Sequence, residues 1–222
     1  MPNSKPEILA ALGARGTGKT AWATRQAHYV KAPRLAVWDL MREAAHAPLQ
    51  STENLPEFVR WLKAPRFRVA FRPSTDDELR ERQFEVWCRA CLLAGHLTAH
   101  VEELAFVTKP HKAPPAWRRM ILLGRHEPHV LTIIGTSQRP AQVDKEFLGN
   151  ADILHVGRLI GADAEGPARI LGVKAAELEN LPDLHWLERR QGDLKATRGQ
   201  LFFKPEKKPL GRPPKAGNLP SR

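Results

Sequence analysis

Eight residues, 13–20 (GARGTGKT), constrain the fold of this 222-residue chain more than any other feature. They match the pattern G-x-x-x-x-G-K-[S/T], which requires a buried strand before it and a helix after it. The apolar run 7–12 predicts that strand, and residues 18–30 predict the helix. The sequence therefore predicts a strand–loop–helix unit whose backbone N–H groups surround a phosphate. The predicted loop consists of Gly13, Ala14, Arg15, Gly16, Thr17, Gly18, Lys19 and Thr20.

Two side chains of this loop have expected chemical roles. Lys19 is expected to reach the outer phosphates of ATP, and the Thr20 hydroxyl to ligate Mg²⁺. Arg15 has two readings, either a contact with the transferred phosphate or a solvated arginine. The loop thus predicts ATP and Mg²⁺ as cofactors.

The rest of the chain alternates between strand and helix patterns. Segments 34–38, 67–71, 97–101 and 130–134 predict strands, and helical segments separate them. This order predicts an α/β fold, a P-loop NTPase with a mostly parallel central sheet flanked by helices. From residue 204 onward Pro, Lys, Arg and Gly dominate, so we expect an ATPase domain over 1–203 and a disordered basic tail over 204–222.

The net charge of +11 favours a polyanionic partner such as nucleic acid. The N-terminus has no long apolar run, and no segment approaches the roughly 18 apolar residues of a membrane span. We therefore expect a protein without a signal peptide that acts in the cytoplasm. Cys88 and Cys91, with His96 and His100, have spacing that resembles a zinc site, but both cysteines fall on the apolar stripe of a helix, which favours a core position.

Two acidic residues follow the predicted strand 97–101. Ligands of a parallel sheet bind at the carboxyl ends of its strands, where a P-loop enzyme needs a metal-binding carboxylate and a base. Glu102 is expected to hold Mg²⁺ through water, and Glu103 to orient or deprotonate the attacking water. Gln138, after the strand 130–134, is the candidate to sense the γ-phosphate.

The phosphate loop, strand 34–38 with Asp39, the V-E-E strand end and the segment T-S-Q-R-P together resemble the FtsK–HerA superfamily of ring-shaped DNA motors. The small size resembles the genome-packaging ATPases of tailless, membrane-containing viruses. This resemblance implies a homo-oligomeric ring (a hexamer), double-stranded DNA as partner, and capsid-vertex or viral membrane proteins nearby, in the host cytoplasm or the virion. It also implies that Arg125 acts on the neighbouring subunit's nucleotide, with Arg118 and Arg119 as alternatives.

Two basic segments are candidates for DNA contact. The first is the Pro-rich loop 108–116, with Lys109 and Lys112. The second is the tail, where 211–215 (GRPPK) resembles an AT-hook core, but its doubled Pro departs from that pattern and favours a solvated basic tail with nonspecific phosphate contacts. The candidate tail residues are Lys207, Lys208, Arg212 and Lys215.

Three other functions stay open at this point. A filamentous-phage assembly ATPase of the zonula-occludens-toxin type would share the ATPase core and usually adds a membrane span. A DNA-binding regulatory protein that uses ATP as a switch would share the loop but lack DNA-stimulated turnover. A small-molecule kinase would need a recognisable acceptor site, and the sequence offers none.

Overall fold

The structure, a computed structural model, describes residues 5–202, and these form one nine-stranded sheet with helices on both faces. The strands are β1 Ile8–Leu12, β2 Arg34–Trp38, β3 Gln50–Thr52, β4 Phe67–Phe71, β5 Thr98–Val101, β6 Thr132–Ser137, β7 Ile153–Val156, β8 His185–Arg190 and β9 Thr197–Gln200. The helices are α1 Lys19–Arg25, α2 Ala27–Val30, α3 Leu55–Trp61, α4 Asp77–Ala94, α5 Pro115–Leu123, α6 Lys145–Gly149, α7 Ala162–Leu171 and α8 Ala175–Glu179. Single 3₁₀ turns cover Ala44–His46, Leu104–Phe106 and Pro140–Gln142.

The strand order is β3-β4-β2-β5-β6-β1-β7-β8-β9. All pairings from β3 to β7 are parallel, and β8 and β9 add an antiparallel hairpin at one edge. The predicted α/β fold with a mostly parallel sheet is confirmed. Because β5, β6, β1 and β7 are consecutive neighbours, their carboxyl ends lie side by side at one edge of the sheet.

The central strand β1 shows why the sheet is covered on both faces. All five of its residues are buried. Ile8, Ala10 and Leu12 pack into the larger core, whereas Leu9 and Ala11 pack into a second core on the opposite face. A strand with two buried faces reads as a continuous apolar run rather than an alternating one, which is the pattern of EILAAL.

Local details differ from the sequence expectations in three places. The predicted helix 18–30 is interrupted at Gln26, whose extended backbone (φ −61°, ψ 142°) separates α1 from α2. The sequence predicts Ser74 or Thr75 as the cap of α4, but Asp76 caps it, and its side chain accepts a hydrogen bond from the Leu79 N–H. The strand expected at 130–134 begins only at Thr132, because Val130 adopts a left-handed backbone (φ 49°).

The cysteines are core residues, as the apolar stripe indicated. Cys88 and Cys91 are buried free thiols on α4, and burial raises their pKa well above the ordinary range. His100 belongs to a different cluster, described below, and the zinc-like grouping is not formed. Within residues 5–202, no helix combines the length and apolar character needed to cross a membrane. The expected tail and its candidate DNA contacts Lys207, Lys208, Arg212 and Lys215 lie outside the described residues.

Candidate nucleotide-binding site

The phosphate loop is attached to the ends of two strands that flank β1. The Gly13 N–H donates to the Ser137 carbonyl at 3.2 Å, and the Ala14 N–H donates to the Arg158 carbonyl at 2.8 Å. The loop therefore lies over the carboxyl ends of β6 and β7, at the edge where parallel sheets bind ligands.

Two loop positions can be filled only by glycine. Gly13 and Gly18 have positive φ values of 151° and 90°. A Cβ on Gly13 would lie 2.5 Å from Thr17 Oγ1, and a Cβ on Gly18 would lie 2.4 Å from a methyl group of Leu201. The motif glycines thus permit both the backbone turn and the close packing of the C-terminal strand segment on the start of α1.

Lys19 and Thr20, the last two residues of the motif, lie on the first turn of α1. Lys19 is buried and its Nζ donates to the Ala14 carbonyl at 3.1 Å, so the ammonium is folded back over the loop. Burial lowers the pKa of Lys19, although Glu103, Glu102 and Glu43 nearby oppose this shift. Thr20 is half-buried beside Lys19. Arg15 and Gly16 are exposed at the tip of the loop.

Glu102, directly after β5, is a buried carboxylate with three donors. Its Oε2 accepts from the Thr136 hydroxyl at 2.6 Å, and its Oε1 lies 3.2 Å from His46 Nε2 and 3.0 Å from His100 Nε2. Burial alone would raise the pKa of Glu102, but the adjacent His100 and the hydrogen bonds from both imidazoles and Thr136 lower it well below the ordinary range. Glu102 is therefore ionised throughout the physiological pH range.

Glu103 is held by the tip of β6. Its Oε1 accepts from the Ser137 hydroxyl and from the Gln138 N–H, both at 2.9 Å. Its own N–H donates to Thr136 Oγ1 at 3.2 Å. The backbone of Glu103 is left-handed (φ 55°), a conformation that costs a non-glycine residue about 1–3 kcal/mol and that recurs at functional sites.

The predicted sensor, Gln138, is half-buried and contacts Glu103 through its backbone N–H. Ser137 contributes a second link, because its hydroxyl donates to Glu103 and accepts from the Arg139 N–H at 3.0 Å. The candidate base and the loop that begins at Arg139 are thus connected through two hydrogen bonds.

Sequence reasoning missed several members of this site. Thr136 and Ser137 lie inside the T-S-Q-R-P segment, where their small hydroxyl side chains beside Gln138 were the available signal. Glu43 and His46 lie in the irregular segment between β2 and β3, and no sequence pattern connects them to the glutamates. Burial raises the pKa of the Glu43 carboxyl, as does the neighbouring Glu102.

Arg125, which is predicted to act on the nucleotide of a neighbouring subunit, lies at the amino ends of the parallel strands, opposite the phosphate loop. Its guanidinium pairs with Asp152 at 2.9 Å, and Asp152 also accepts the N–H of Ile8 at 2.7 Å. Ile8 opens β1, whose five residues span about 16 Å before the phosphate loop begins. Arg125 is thus remote from the phosphate loop of its own subunit.

The two alternative arginines lie on the outer face of α5. Arg118 forms a two-pronged ion pair with Glu146, with the shortest contact at 2.8 Å. Arg119 is exposed. Leu122 and Leu123, also on this face, are 45% and 48% exposed.

The candidate DNA-contacting lysines of the loop 108–116 are close to each other. Lys109 and Lys112 form a small antiparallel bridge, and Lys109 also lies 3.8 Å from Glu81 on α4. Both lysines border a cavity of about 550 Å³ whose apolar lining includes Val86 and Phe106.

The residues present suit a magnesium nucleotide. The loop offers backbone N–H groups and the ammonium of Lys19 for the phosphates. The Thr20 hydroxyl and the Glu102 carboxylate are hard oxygen donors of the kind Mg²⁺ prefers.

Comparison with solved structures gives matches to P-loop NTPases. The genome-packaging NTPase B204 from Sulfolobus turreted icosahedral virus 2, in complex with AMPPCP, aligns with a TM-score of 0.67 and 14% identity, over 90% of this chain and 100% of B204. The pCW3 conjugation coupling protein TcpA aligns with a TM-score of 0.54 and 13% identity, over 88% of this chain and 60% of TcpA.

A third match is the bacterial conjugative coupling protein TrwB, with a TM-score of 0.51 and 16% identity over 66% of this chain and 43% of TrwB. No protein-family model and no curated protein sequence matches the chain. At these identities the likeness concerns the fold. The chain therefore has the P-loop NTPase fold of B204 and of the two conjugative coupling proteins, as the phosphate-loop motif and the alternation of strands and helices predicted.

Proposed function

We propose that this protein hydrolyses ATP with Mg²⁺ and couples the reaction to movement of double-stranded DNA, packaging a viral genome as a homo-hexameric ring. The observation that carries the proposal is the contact between Glu103 and the tip of β6. It joins the candidate catalytic base to the loop that starts at Arg139, so that a change at the nucleotide shifts a surface segment. The fold of the packaging NTPase B204 supports the viral assignment.

The chain's own residues divide the chemical work. Lys19 and the loop N–H groups bind and orient the phosphates. Thr20 and Glu102 would hold Mg²⁺, which neutralises charge on the phosphate oxygens when bound. Glu103 orients the attacking water and accepts its proton. Its carboxylate lies near Lys19 and therefore near the phosphates that Lys19 binds.

The contact at β6 also suggests how hydrolysis is timed. With Ser137 and Gln138 bonded to Glu103, the carboxylate is held against the tip of β6 by two donors. In our proposal a γ-phosphate draws the Gln138 side chain toward itself, the β6 tip moves, and Glu103 is released toward the water.

Two substitutions test the ATPase part together. Lys19→Ala is expected to abolish ATP binding or turnover, because the ammonium at the phosphates is lost. Glu103→Gln is expected to bind ATP but to hydrolyse it at least 10²-fold more slowly, because water activation is lost while the loop remains. ATP affinity and turnover are measured on the same preparations, and wild-type turnover in Glu103→Gln would exclude Glu103 as the base.

A second experiment tests movement on DNA. The wild-type protein is expected to hydrolyse ATP faster with double-stranded DNA and to displace a third strand bound to that duplex, whereas Glu103→Gln binds the same duplex without displacement. Turnover that ignores DNA, combined with ATP-dependent DNA affinity, would instead indicate the ATP-gated regulatory protein.

We also propose that Arg125 reaches the nucleotide of the adjacent subunit in the ring. Its distance from the phosphate loop of its own subunit supports a role in trans rather than in cis. A guanidinium there would neutralise charge that develops on the γ-phosphate in the transition state. Its ion pair with Asp152 must then open when the ring forms.

A further inference from the structure

A buried polar cluster surrounds Glu102 on the side facing α2. Tyr29 comes from α2, His46 from the 3₁₀ turn Ala44–His46, and His100 from β5. Their exposed fractions are 5%, 0% and 0%, and that of Glu102 is 3%. Three separate elements therefore bring polar side chains to one carboxylate out of contact with water, which is costly unless each polar group is satisfied.

Hydrogen bonds link these side chains in series. The Nε2 atoms of His46 and His100 lie 3.2 and 3.0 Å from Glu102 Oε1, which accepts. On the other side of its ring, His46 has Nδ1 2.8 Å from the Tyr29 hydroxyl. A chain of hydrogen bonds thus runs from Tyr29 through His46 to Glu102.

We propose that Tyr29, His46 and His100 are positioning residues that fix the Glu102 carboxylate for its water-mediated contact with Mg²⁺. A carboxylate has about four lone-pair sites, and the two imidazoles and Thr136 occupy three of them. The fourth lone pair, on Oε2, is left for the water bound to Mg²⁺, and the other three hydrogen bonds fix its direction. This inference rests on the proposed role of Glu102, and none of the three residues needs to touch the nucleotide.

The segment that carries His46 supports this reading. It follows β2, and Asp39 at the end of that strand accepts the N–H of Glu43 at 2.9 Å, which fixes the start of the turn. Asp39 is fully buried. The segment that contains His46 is therefore anchored to β2, as expected for a residue that orients the Glu102 carboxylate.

A bound transition metal is the competing explanation. Two imidazoles and a carboxylate with ligand atoms within 4.8 Å of one another are a donor set that zinc also uses. The described residues supply three donors there, fewer than the four of a closed structural zinc site, and their burial leaves no solvent-facing fourth position of the kind that a catalytic zinc keeps. The hydrogen bonds from Tyr29 and Thr136 also fit the carboxylate reading without a metal, so we favour positioning.

The test measures the Mg²⁺ concentration for half-maximal ATP turnover in the full chain. His46→Leu removes the donor to Glu102 and is expected to raise this concentration about 10–100-fold, the usual effect of losing a side chain that orients a metal ligand. His46→Gln keeps an N–H near the Nε2 position and is expected to recover part of the loss. ATP affinity in EDTA is expected to stay unchanged in both variants.

His155→Leu is the matched control. His155 is equally buried and pairs with a glutamate at the same 3.2 Å distance, but that partner is Glu188 on β8. It is expected to lower the unfolding temperature about as much as His46→Leu without changing the Mg²⁺ requirement. Tyr29→Phe removes a single hydroxyl, so it remains folded, and it is expected to raise the Mg²⁺ requirement by a smaller factor.

Several outcomes would overturn the proposal. An unchanged Mg²⁺ requirement in His46→Leu, or in Tyr29→Phe if His46→Leu does not fold, contradicts it. So does one equivalent of a transition metal in the purified protein that is lost on substitution of His46. Absence of Mg²⁺-dependent turnover in the wild type would instead refute the proposed function, and an unchanged Mg²⁺ requirement in Glu102→Gln would refute the role of Glu102.

Discussion

Arg125 either stabilises its own subunit through the ion pair with Asp152 or acts on the nucleotide of the neighbouring subunit. Replacing each partner of the ion pair in turn distinguishes these two roles. Arg125→Ala removes the guanidinium and leaves Asp152 without its charge partner. Asp152→Asn breaks the same pair, but its amide oxygen still accepts the Ile8 N–H and Arg125 is retained. The two variants lose the same contact and differ in whether an arginine is available to a neighbouring subunit.

The structure sets the size of the stability effect. The side chains of Arg125 and Asp152 are 27% and 15% exposed, so the pair is only partly screened by solvent. Breaking it is expected to cost about 1–2 kcal/mol, between the values for exposed and fully buried pairs. For a chain of this length that lowers the unfolding temperature by about 2–8 °C, similarly in both variants.

The two variants are expected to differ strongly in ATP turnover, although they lose similar stability. An arginine supplied to a P-loop nucleotide in trans contributes about 10³–10⁵ in rate. Arg125→Ala is therefore expected to assemble and bind ATP but to lose turnover by that factor, whereas Asp152→Asn keeps turnover near the wild-type rate. Turnover, ATP affinity and unfolding temperature are measured on all three proteins below their unfolding transitions.

Mixing gives the decisive measurement. Arg125→Ala and Glu103→Gln are each nearly inactive, but a mixed ring has some interfaces with an intact glutamate on one side and an intact arginine on the other. Turnover is expected to return in part when subunits exchange. Equal turnover of Arg125→Ala and Asp152→Asn, or mixed rings verified by mass that recover no activity, would refute the role in trans.

Two further predictions concern the tail and the core. Deleting residues 204–222, which contain six Lys or Arg and one Glu, is expected to weaken DNA binding and to reduce the salt slope by up to ~0.9 per lost phosphate contact, with basal ATPase retained. Changing the six basic residues to Gln at constant length should match the deletion, and unchanged DNA affinity at low salt in both would exclude a DNA role. Asp144→Ala is expected to cost about 2–4 kcal/mol, because Asp144 caps α6 through the Phe147 N–H and accepts the Trp117 indole N–H. Since burial raises the pKa of Asp144, wild-type stability should decline as pH rises from about 4 through the raised pKa, because the buried carboxyl must then ionise, whereas its two hydrogen bonds persist at neutral pH. Chemical denaturation at several pH values measures this slope, and an identical slope in Asp144→Ala would contradict it.

Much of the fold could be predicted because its signals are local. The strands at 34–38 and 67–71 match the structure, since each is a short apolar run between turn residues. The prediction of one helix over 18–30 was wrong at Gln26, where the extended backbone separates α1 from α2 and no residue spacing marks the break.

The sequence by itself determined the phosphate loop and the two glutamates, since glycine spacing and the strand before an acidic pair lie within a few consecutive residues. Only the tertiary structure decided which distant side chains contact Glu102 and Arg125. His46 and Glu102 are 56 residues apart, and Arg125 and Asp152 are 27 apart. Their contacts arise because parallel strands bring distant segments to the same edge of a sheet, and no periodicity along the chain encodes which side chains meet there.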